Sequence, residues 1–333
     1  MTSFNDVVKL LDETGAENVL LLCHHNSDPD AVCSAYAFMG LLKSVRPNLT
    51  VVIGSGGGVS KLTKNLFRYL PIKVNLAPNV EKAQAIFLLD TNTVQQLDNL
   101  AEKVTGSTAP IILIDHHIAH PETQKLCRLC ITNEDAASTC DIVYDFYKQQ
   151  NLKPKPDYAK ALFLGMAFDT RHFVLANSST FKAVADLVDS GVNAQEALAM
   201  LAIPMDFSER VARVKACRRA KIFRIDNWII ALSHVSAFQA SAARALTDLG
   251  VHMAAVAGEK GESVEISMRC SREFTEKTGI HLGRDIAKPL GASMQGQGGG
   301  HAMAAGVNAK GDVKTGLKRC LRLLKENLKS TTE

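Results

Sequence analysis

The sequence predicts an α/β fold, with an N-terminal, mostly parallel sheet flanked by helices and a smaller α/β domain at the C-terminus. Three observations lead there. Short β-rich runs alternate with helix-period segments through the first half of the chain, the pattern of strands covered on both faces. Three of those runs finish in Asp or His, and an open parallel sheet places its ligands outside the carboxyl ends of its strands. At 333 residues, with 46% hydrophobic and 22% charged residues, the chain has the size for two domains and the balance of a globular protein.

In chain order, NVLLLC (18–23) leads through HHNSDPD into PDAVCSAYAFMGLLKSV, a helix with Pro29 near its start, where proline is tolerated. TVVIG ends in a glycine cluster, and QAIFLLD and PIILID each end on aspartate. From Ser138 to about Gly191 the sequence is mainly helical, with FDTRHFVLANSST as a non-helical insert between two helices. A long basic amphipathic segment, SERVARVKACRRAKIFR, follows, with Pro204 as a hinge before it. The second domain reads as a strand WIIALSHVS, a helix AFQASAARALTDLG, a hairpin HMAAVAGEKGESVEISMRC and a closing helix after GGGHAMAAG. The expected division is therefore 1–191 for the first domain, 192–225 for a linker and connecting helix, and 226–333 for the second domain.

Composition narrows the function. A net charge of +4 is too small to demonstrate an anionic partner, so partners must be argued from sites. The chain opens without a signal-like segment and holds no apolar run long enough to cross a bilayer, which makes cytoplasmic residence without membrane attachment the expectation. The eight cysteines lack a paired spacing and read as reduced thiols. Cys127 and Cys130 form a lone C-x-x-C without the second half of a zinc site, in an alternating stretch that suits strand packing. GSGGG at 54–58 lacks the G-K-[S/T] ending of a phosphate loop and reads as a turn. The basic run Arg210, Arg213, Lys215, Arg218, Arg219, Lys221, Arg224 reads as a solvated helix face. With aromatics at 6%, a broad base-stacking platform is not evident, which favours short substrates over long single strands.

The residues that carry chemistry sit at the strand ends. His24, Asp28 and Asp30 follow the first strand, Asp90 ends QAIFLLD, Asp115, His116 and His117 end PIILID, and Asp169 lies in the FDTRHF insert. Parallel neighbours would bring them to one edge of the sheet. Carboxylates so close together repel and raise one another's pKa values, so a cation must hold them. Four aspartates and two histidines suit two divalent ions bridged by one carboxylate, about 3.5–4 Å apart. Asp28, Asp30, Asp90 and Asp169 would neutralise two dications. Mainly oxygen donors with some imidazole and no thiolate favour Mn²⁺, with Mg²⁺ and Co²⁺ as alternatives.

This ordered set, H-x-x-x-D-x-D, a strand-ending Asp90, the triplet Asp115-His116-His117 and a later Asp169, resembles the DHH phosphoesterase superfamily. GGGHAMAAG at 298–306 resembles the signature of the DHH-associated C-terminal domain. The resemblance implies that His24, Asp28 and Asp90 hold one metal and that Asp30, Asp90, His116 and Asp169 hold the other. It makes Asp90 the bridge, Asp115 a group that orients a ligand, and His117 a donor to the phosphate or leaving oxygen. His25 has no counterpart in the family pattern. Arg171-His172 replaces the small residue often found after D-T, which either narrows the site or supplies a phosphate contact. In the second domain Gly298, Gly299 and Gly300 allow backbone N–H groups close to an anion, His301 adds a donor, and Arg269 adds a fork of donors for a terminal phosphate.

The implied activity is that of a two-metal phosphoesterase on short oligonucleotides or 3′-phosphoadenosine 5′-phosphate, closer to the stand-alone nanoRNase and nucleotide-phosphatase branch than to the larger RecJ exonucleases. An inorganic pyrophosphatase or exopolyphosphatase would use nearly the same metal residues. A non-catalytic nucleic-acid-binding scaffold is the alternative from another class. The resemblance also allows a homodimer.

Overall fold

A computed structural model describes residues 3–202, 205–261 and 263–330, and the predicted hinge at Pro204 lies outside them. The chain divides into two compact units, Met1–Ile203 and Pro204–Glu333. The helix Ala194–Met200 belongs to the first and the helix Phe207–Arg219 to the second.

The N-terminal unit is built on six strands: β1 (Asn18–Cys23), β2 (Thr50–Ser55), β3 (Val74–Asn75), β4 (Ala85–Leu89), β5 (Ile111–Asp115) and β6 (Cys127–Thr132). Their order is β3-β2-β1-β4-β5-β6, and each described pairing is parallel. The order reverses at β1, which pairs β2 on one side and β4 on the other. This is where a parallel sheet opens a crevice. Register sharpens the placement: Cys23 pairs Leu89, and Leu89 pairs Ile114. His24, Asp90 and Asp115 therefore leave the sheet side by side.

Both faces are covered, as the apolar runs require. Leu21, Phe87, Ile112 and Ile114 pack into a core with the helices Pro29–Val45, Thr139–Gln149 and Pro156–Asp169. Leu20, Leu22, Ile86, Leu88 and Leu113 form the opposite layer. Proline starts the helix Pro29–Val45, and the Asp28 side chain caps it by accepting from Ala31 N (3.1 Å). Helix packing beside the site is close enough to demand glycine: a Cβ at Gly165 would collide with Cys140 Sγ and crowd Asp30 Oδ1.

The C-terminal unit has a mixed sheet of β7 (Lys221–Ile225), β8 (Trp228–His234), β9 (Met253–Lys260), β10 (Ser263–Cys270), β11 (Gln297–Gly300) and β12 (Ala304–Lys310). The order is β11-β12-β10-β9-β8-β7, with β8 and β9 parallel and the other pairs antiparallel. Ile230, Leu232, Val264, Ile266 and Met268 form one core with the closing helix Val313–Ser330. Ala231, Ala254 and Val256 pack the other face against the helices Phe207–Arg219 and Gln239–Asp248. Among the described residues no helix is long and apolar enough to cross a membrane.

Two local expectations differ from the structure. The basic segment is not one helix, because the helix stops at Arg219 and Lys221–Ile225 is an edge strand paired with β8. The reason is a tight hairpin at Asp226-Asn227, where Asp226 takes φ 50°, a conformation that Asp tolerates. The insert is also shorter than FDTRHFVLANSST: the helix Pro156–Asp169 runs through Asp169, and the next begins at Ser178. Thr170 bonds back to the Met166 carbonyl (2.6 Å), and Arg171, His172 and Phe173 then take φ of 51°, 57° and 70°.

Candidate metal centre

Five segments converge at the carboxyl edge of the N-terminal sheet. The loop after β1 is fixed by buried Ser27, whose hydroxyl donates to the His24 carbonyl (2.5 Å), and by a bridge between Ser27 and Val59. His24 Nδ1 lies 2.8 Å from the His25 carbonyl. A carbonyl only accepts, so Nδ1 carries a proton, and Nε2 is the nitrogen turned toward the carboxylates. That Nε2 is 3.8 Å from Asp28 Oδ2 and 3.9 Å from Asp90 Oδ2.

Asp90 is buried directly after β4 in a left-handed conformation, φ 52°. Its Oδ1 lies 3.6 Å from His116 Nε2 and accepts from Thr139 Oγ1 at 3.1 Å. The two oxygens of one carboxylate thus face two imidazoles. His116 Nε2 lies 3.1 Å from Asp169 Oδ2, at the end of its helix. Asp30 has no exposed surface; both its oxygens accept backbone N–H bonds from the first turn of the helix Thr139–Gln149, from Thr139 (2.7 Å) and Cys140 (3.1 Å). Donor atoms of His24, Asp28 and Asp90 lie within 4.8 Å of one another, as do those of Asp30, His116 and Asp169, and those of Asp90, Asp115, His116 and His117.

The residues present fit divalent cations. Asp115 Oδ2 and His116 Nε2 are buried, and His116 Nε2 makes no well-directed hydrogen bond among the described residues despite its 3.1 Å approach to Asp169 Oδ2, a costly state that ligation would relieve. Charge crowding says the same. Burial, with Asp169 and Asp90 adding repulsion, pushes Asp30 well above the usual carboxylate range. Burial likewise raises Asp169, although His116 opposes it. Burial alone would also raise Asp90, but the hydrogen bond from His117 and the charges of His116 and His24 hold it below its ordinary value. Burial opposes the protonation of His24, yet Asp28 and the His25 carbonyl bring it up to about 9. Asp115 and then Asp90 raise His117 to about 10.

Asp115 turns toward its own neighbour: its Oδ1 accepts from both His117 N and His117 Nδ1, each at 2.9 Å. That bond fixes the orientation of the His117 ring and leaves Nε2 of this exposed ring for another partner. His25 instead bonds the Gln96 carbonyl through Nδ1 (3.0 Å). Arg171 and His172 stand exposed beside Asp169.

Sequence reasoning missed Ser138, Thr139 and Asp141. Ser138 caps the helix by accepting from Asp141 N (3.1 Å) and donates to Asp141 Oδ2 (2.7 Å), which holds the turn that grips Asp30 and Asp90. The S-x-x-D spacing of a helix start was a usable signal.

The remaining expected residues lie in the C-terminal unit. Arg269, half-buried on β10, is paired across the ladder with Ala304 of β12, and its Nη1 donates to the Met268 carbonyl (2.8 Å). Partial burial, with Arg244 nearby, lowers its pKa. Gly298, Gly299 and Gly300 form the edge strand β11 rather than a loop, and exposed His301 begins the turn into β12. A Cβ at Gly298 would collide with the Ala287 carbonyl, so packing alone requires that glycine. A shallow hollow of about 450 Å³ lies over this part of the sheet, lined by Glu265, Ser267, Gln297, Gly299 and Asn308 among others.

Fold and site together define a two-unit α/β protein with a carboxylate–histidine cage at the switch point of a parallel sheet. Residues 18–166 match the DHH family N-terminal domain and residues 231–330 the DHHA1 domain. An uncharacterised protein of Methanocaldococcus jannaschii is 34% identical over 321 residues, 95% of this chain and 94% of its own length. The manganese-dependent inorganic pyrophosphatase of Bacillus subtilis is 27% identical over 227 residues, 66% of this chain and 71% of the pyrophosphatase. The crystal structure of an exopolyphosphatase-related protein from Bacteroides fragilis shares the fold, with a TM-score of 0.62 at 18% identity, covering 99% of this chain and 97% of that one. The chain belongs to the DHH phosphoesterase superfamily and carries the C-terminal DHHA1 domain.

Proposed function

We propose that the N-terminal unit holds two divalent ions, Mn²⁺ by preference, and that the protein hydrolyses short oligonucleotides to mononucleotides or removes a phosphate from 3′-phosphoadenosine 5′-phosphate. The observation that carries this reading is Asp90, a buried carboxylate whose two oxygens face His116 and His24 at 3.6 and 3.9 Å. His24, Asp28 and Asp90 would hold one ion, and Asp30, Asp90, His116 and Asp169 the other. When bound, the ions supply Lewis acidity toward the phosphoryl oxygens and acidify an attacking water. The protein's own contribution is orientation. Thr139 fixes the Asp90 carboxylate, and the helix start at Thr139 and Cys140 fixes Asp30. Asp115 and Asp90 raise His117 to about 10 and keep its ring doubly protonated, so its Nε2–H is available to donate to a phosphoryl or leaving oxygen. Mn²⁺ is favoured by the oxygen-rich donor set and by the manganese dependence of the Bacillus relatives.

Arg269, the β11 glycines and His301 would bind the rest of the substrate. The hollow beside them, of about 450 Å³, falls in the range of small-ligand pockets, which supports a nucleotide over a bare diphosphate. A second reading, hydrolysis of inorganic pyrophosphate, is favoured by the 26–27% identity to Bacillus pyrophosphatases. The test is a panel of 5′-labelled RNAs from a dinucleotide upward, 3′-phosphoadenosine 5′-phosphate, pyrophosphate and polyphosphate, with Mn²⁺ and then with chelator. Metal-dependent turnover that favours the shortest RNAs or the nucleotide supports the proposal. Turnover of pyrophosphate alone replaces it with the second reading.

A further inference from the structure

A cavity of about 890 Å³ in the C-terminal unit is lined by none of the metal or substrate residues assigned above. Its floor is apolar: Phe223 on β7, Leu232 on β8, and Val313, Leu317 and Leu321 on the closing helix Val313–Ser330. Its rim is cationic, with Arg219, Lys221, Lys314 and Lys318 against Glu259 and Asp312. Asp312 is engaged at the helix start, accepting from Thr315 N (2.9 Å) and Thr315 Oγ1 (2.7 Å). A second hollow of about 550 Å³ shares Lys318 and Leu321 with the first and adds Arg319, Arg322 and Lys325.

The two hollows form one groove along the helix. Lys314, Lys318, Arg322 and Lys325 recur at three- or four-residue steps, so they make one stripe with cations about 5–6 Å apart along the axis. Arg322 pairs Glu326 (3.2 Å), while Lys221, Lys314, Lys318 and Lys325 make no ion pair among the described residues. Leu232 belongs to the core on one face of the sheet, whereas Arg269 alternates with buried Met268 and lies on the opposite face. The groove is therefore separate from the proposed substrate residues of this unit.

We propose that this groove binds single-stranded nucleic acid, with phosphates along the Lys314–Lys325 stripe and a base against Phe223. Cations repeating along one helix face, three of them outside any ion pair among the described residues, suit the repeating charge of a phosphodiester backbone, and an aromatic ring beside them suits a base of any sequence. An acidic peptide would use the cations but has no use for the ring. The proposal deepens the nucleotide reading, since it would hold a longer strand outside the site of cleavage.

The test measures binding and turnover separately. Anisotropy of a labelled single-stranded RNA of twelve nucleotides is followed on the full chain in chelator, where no hydrolysis occurs. Lys314→Glu/Lys318→Glu/Lys325→Glu is expected to weaken binding at least tenfold and flatten its salt dependence, and Phe223→Leu to weaken RNA binding alone, leaving polyphosphate binding unchanged. Dinucleotide hydrolysis with Mn²⁺ is expected to remain at the wild-type rate in both. Wild-type RNA affinity in the triple variant overturns the groove, as does an equal loss of RNA and polyphosphate binding in Phe223→Leu. Loss of dinucleotide hydrolysis in the wild type would overturn the proposed activity instead, independently of the binding result.

Discussion

Replacing Asp90 by Asn tests whether one carboxylate serves both halves of the cage. Asn has nearly the same shape, so the buried packing and the Thr139 contact of 3.1 Å need not be lost with the charge. What changes is the balance of four carboxylates against two dications, and one oxygen becomes an N–H₂ group in a position that faces an imidazole. Losing a group that only orients a ligand costs about 10–100-fold in metal affinity or activity. Taking about 100-fold as a floor for each of two ions gives about 10⁴-fold, or about 5 kcal/mol, in kcat/KM. Asp28→Asn, which touches the His24 half alone, has a floor near 100-fold. Chelator-stripped proteins would be titrated calorimetrically with Mn²⁺ and assayed for hydrolysis. Asp90→Asn is expected to lose high-affinity binding at both sites and Asp28→Asn at one. If Asp90→Asn still binds two ions tightly, or loses no more activity than Asp28→Asn, the bridge is refuted.

Thr139→Val should lower turnover about 10–100-fold, while Thr139→Ser, which keeps the hydroxyl on Asp90, should restore most of it. Ion-free protein should lose thermal stability between about pH 6.5 and 10. Raised Asp30 and Asp169 make the folded form bind more protons than the unfolded chain above the ordinary carboxylate value, and His24 and His117, raised to about 9 and about 10, lose a contribution that is whole below their ordinary value. Mn²⁺ needs those ligands deprotonated, so the rise in Tm on adding Mn²⁺ should grow over the same window; a constant rise contradicts this. Gly298→Ala should destabilise the C-terminal unit by about 1–3 kcal/mol through its collision with Ala287, whereas Gly299→Ala, with open space at its Cβ, should change denaturant midpoints little. Arg269→Ala should raise KM for a dinucleotide at nearly constant kcat, and an equal fall in kcat would remove it from substrate binding.

Much of the site was legible because parallel strands make sequence position informative. A strand that ends in Asp places that Asp at the carboxyl edge whatever the loop does, which is why Asp90, Asp115 and His24 could be placed together. Asp169 was placed on a loop but closes a helix; its polar neighbours Thr170, Arg171 and His172 hid the continuation. The Ser138–Asp141 turn was missed because its task is done largely by backbone N–H groups, which leave no residue signature beyond a cap. Left-handed Arg171, His172 and Phe173 could not have been read as a run, since of these residue types only His is enriched in that conformation. The strand Lys221–Ile225 was lost to the charge pattern around it, although Asp226-Asn227 marked the hairpin.

The most direct measurement follows hydrolysis of a 5′-labelled RNA dinucleotide while chelator-stripped protein is titrated with Mn²⁺. Activity that is absent without metal and reaches its plateau as the second ion binds is the expected result. Full activity with one ion bound, or two ions bound with the dinucleotide intact, would contradict the account.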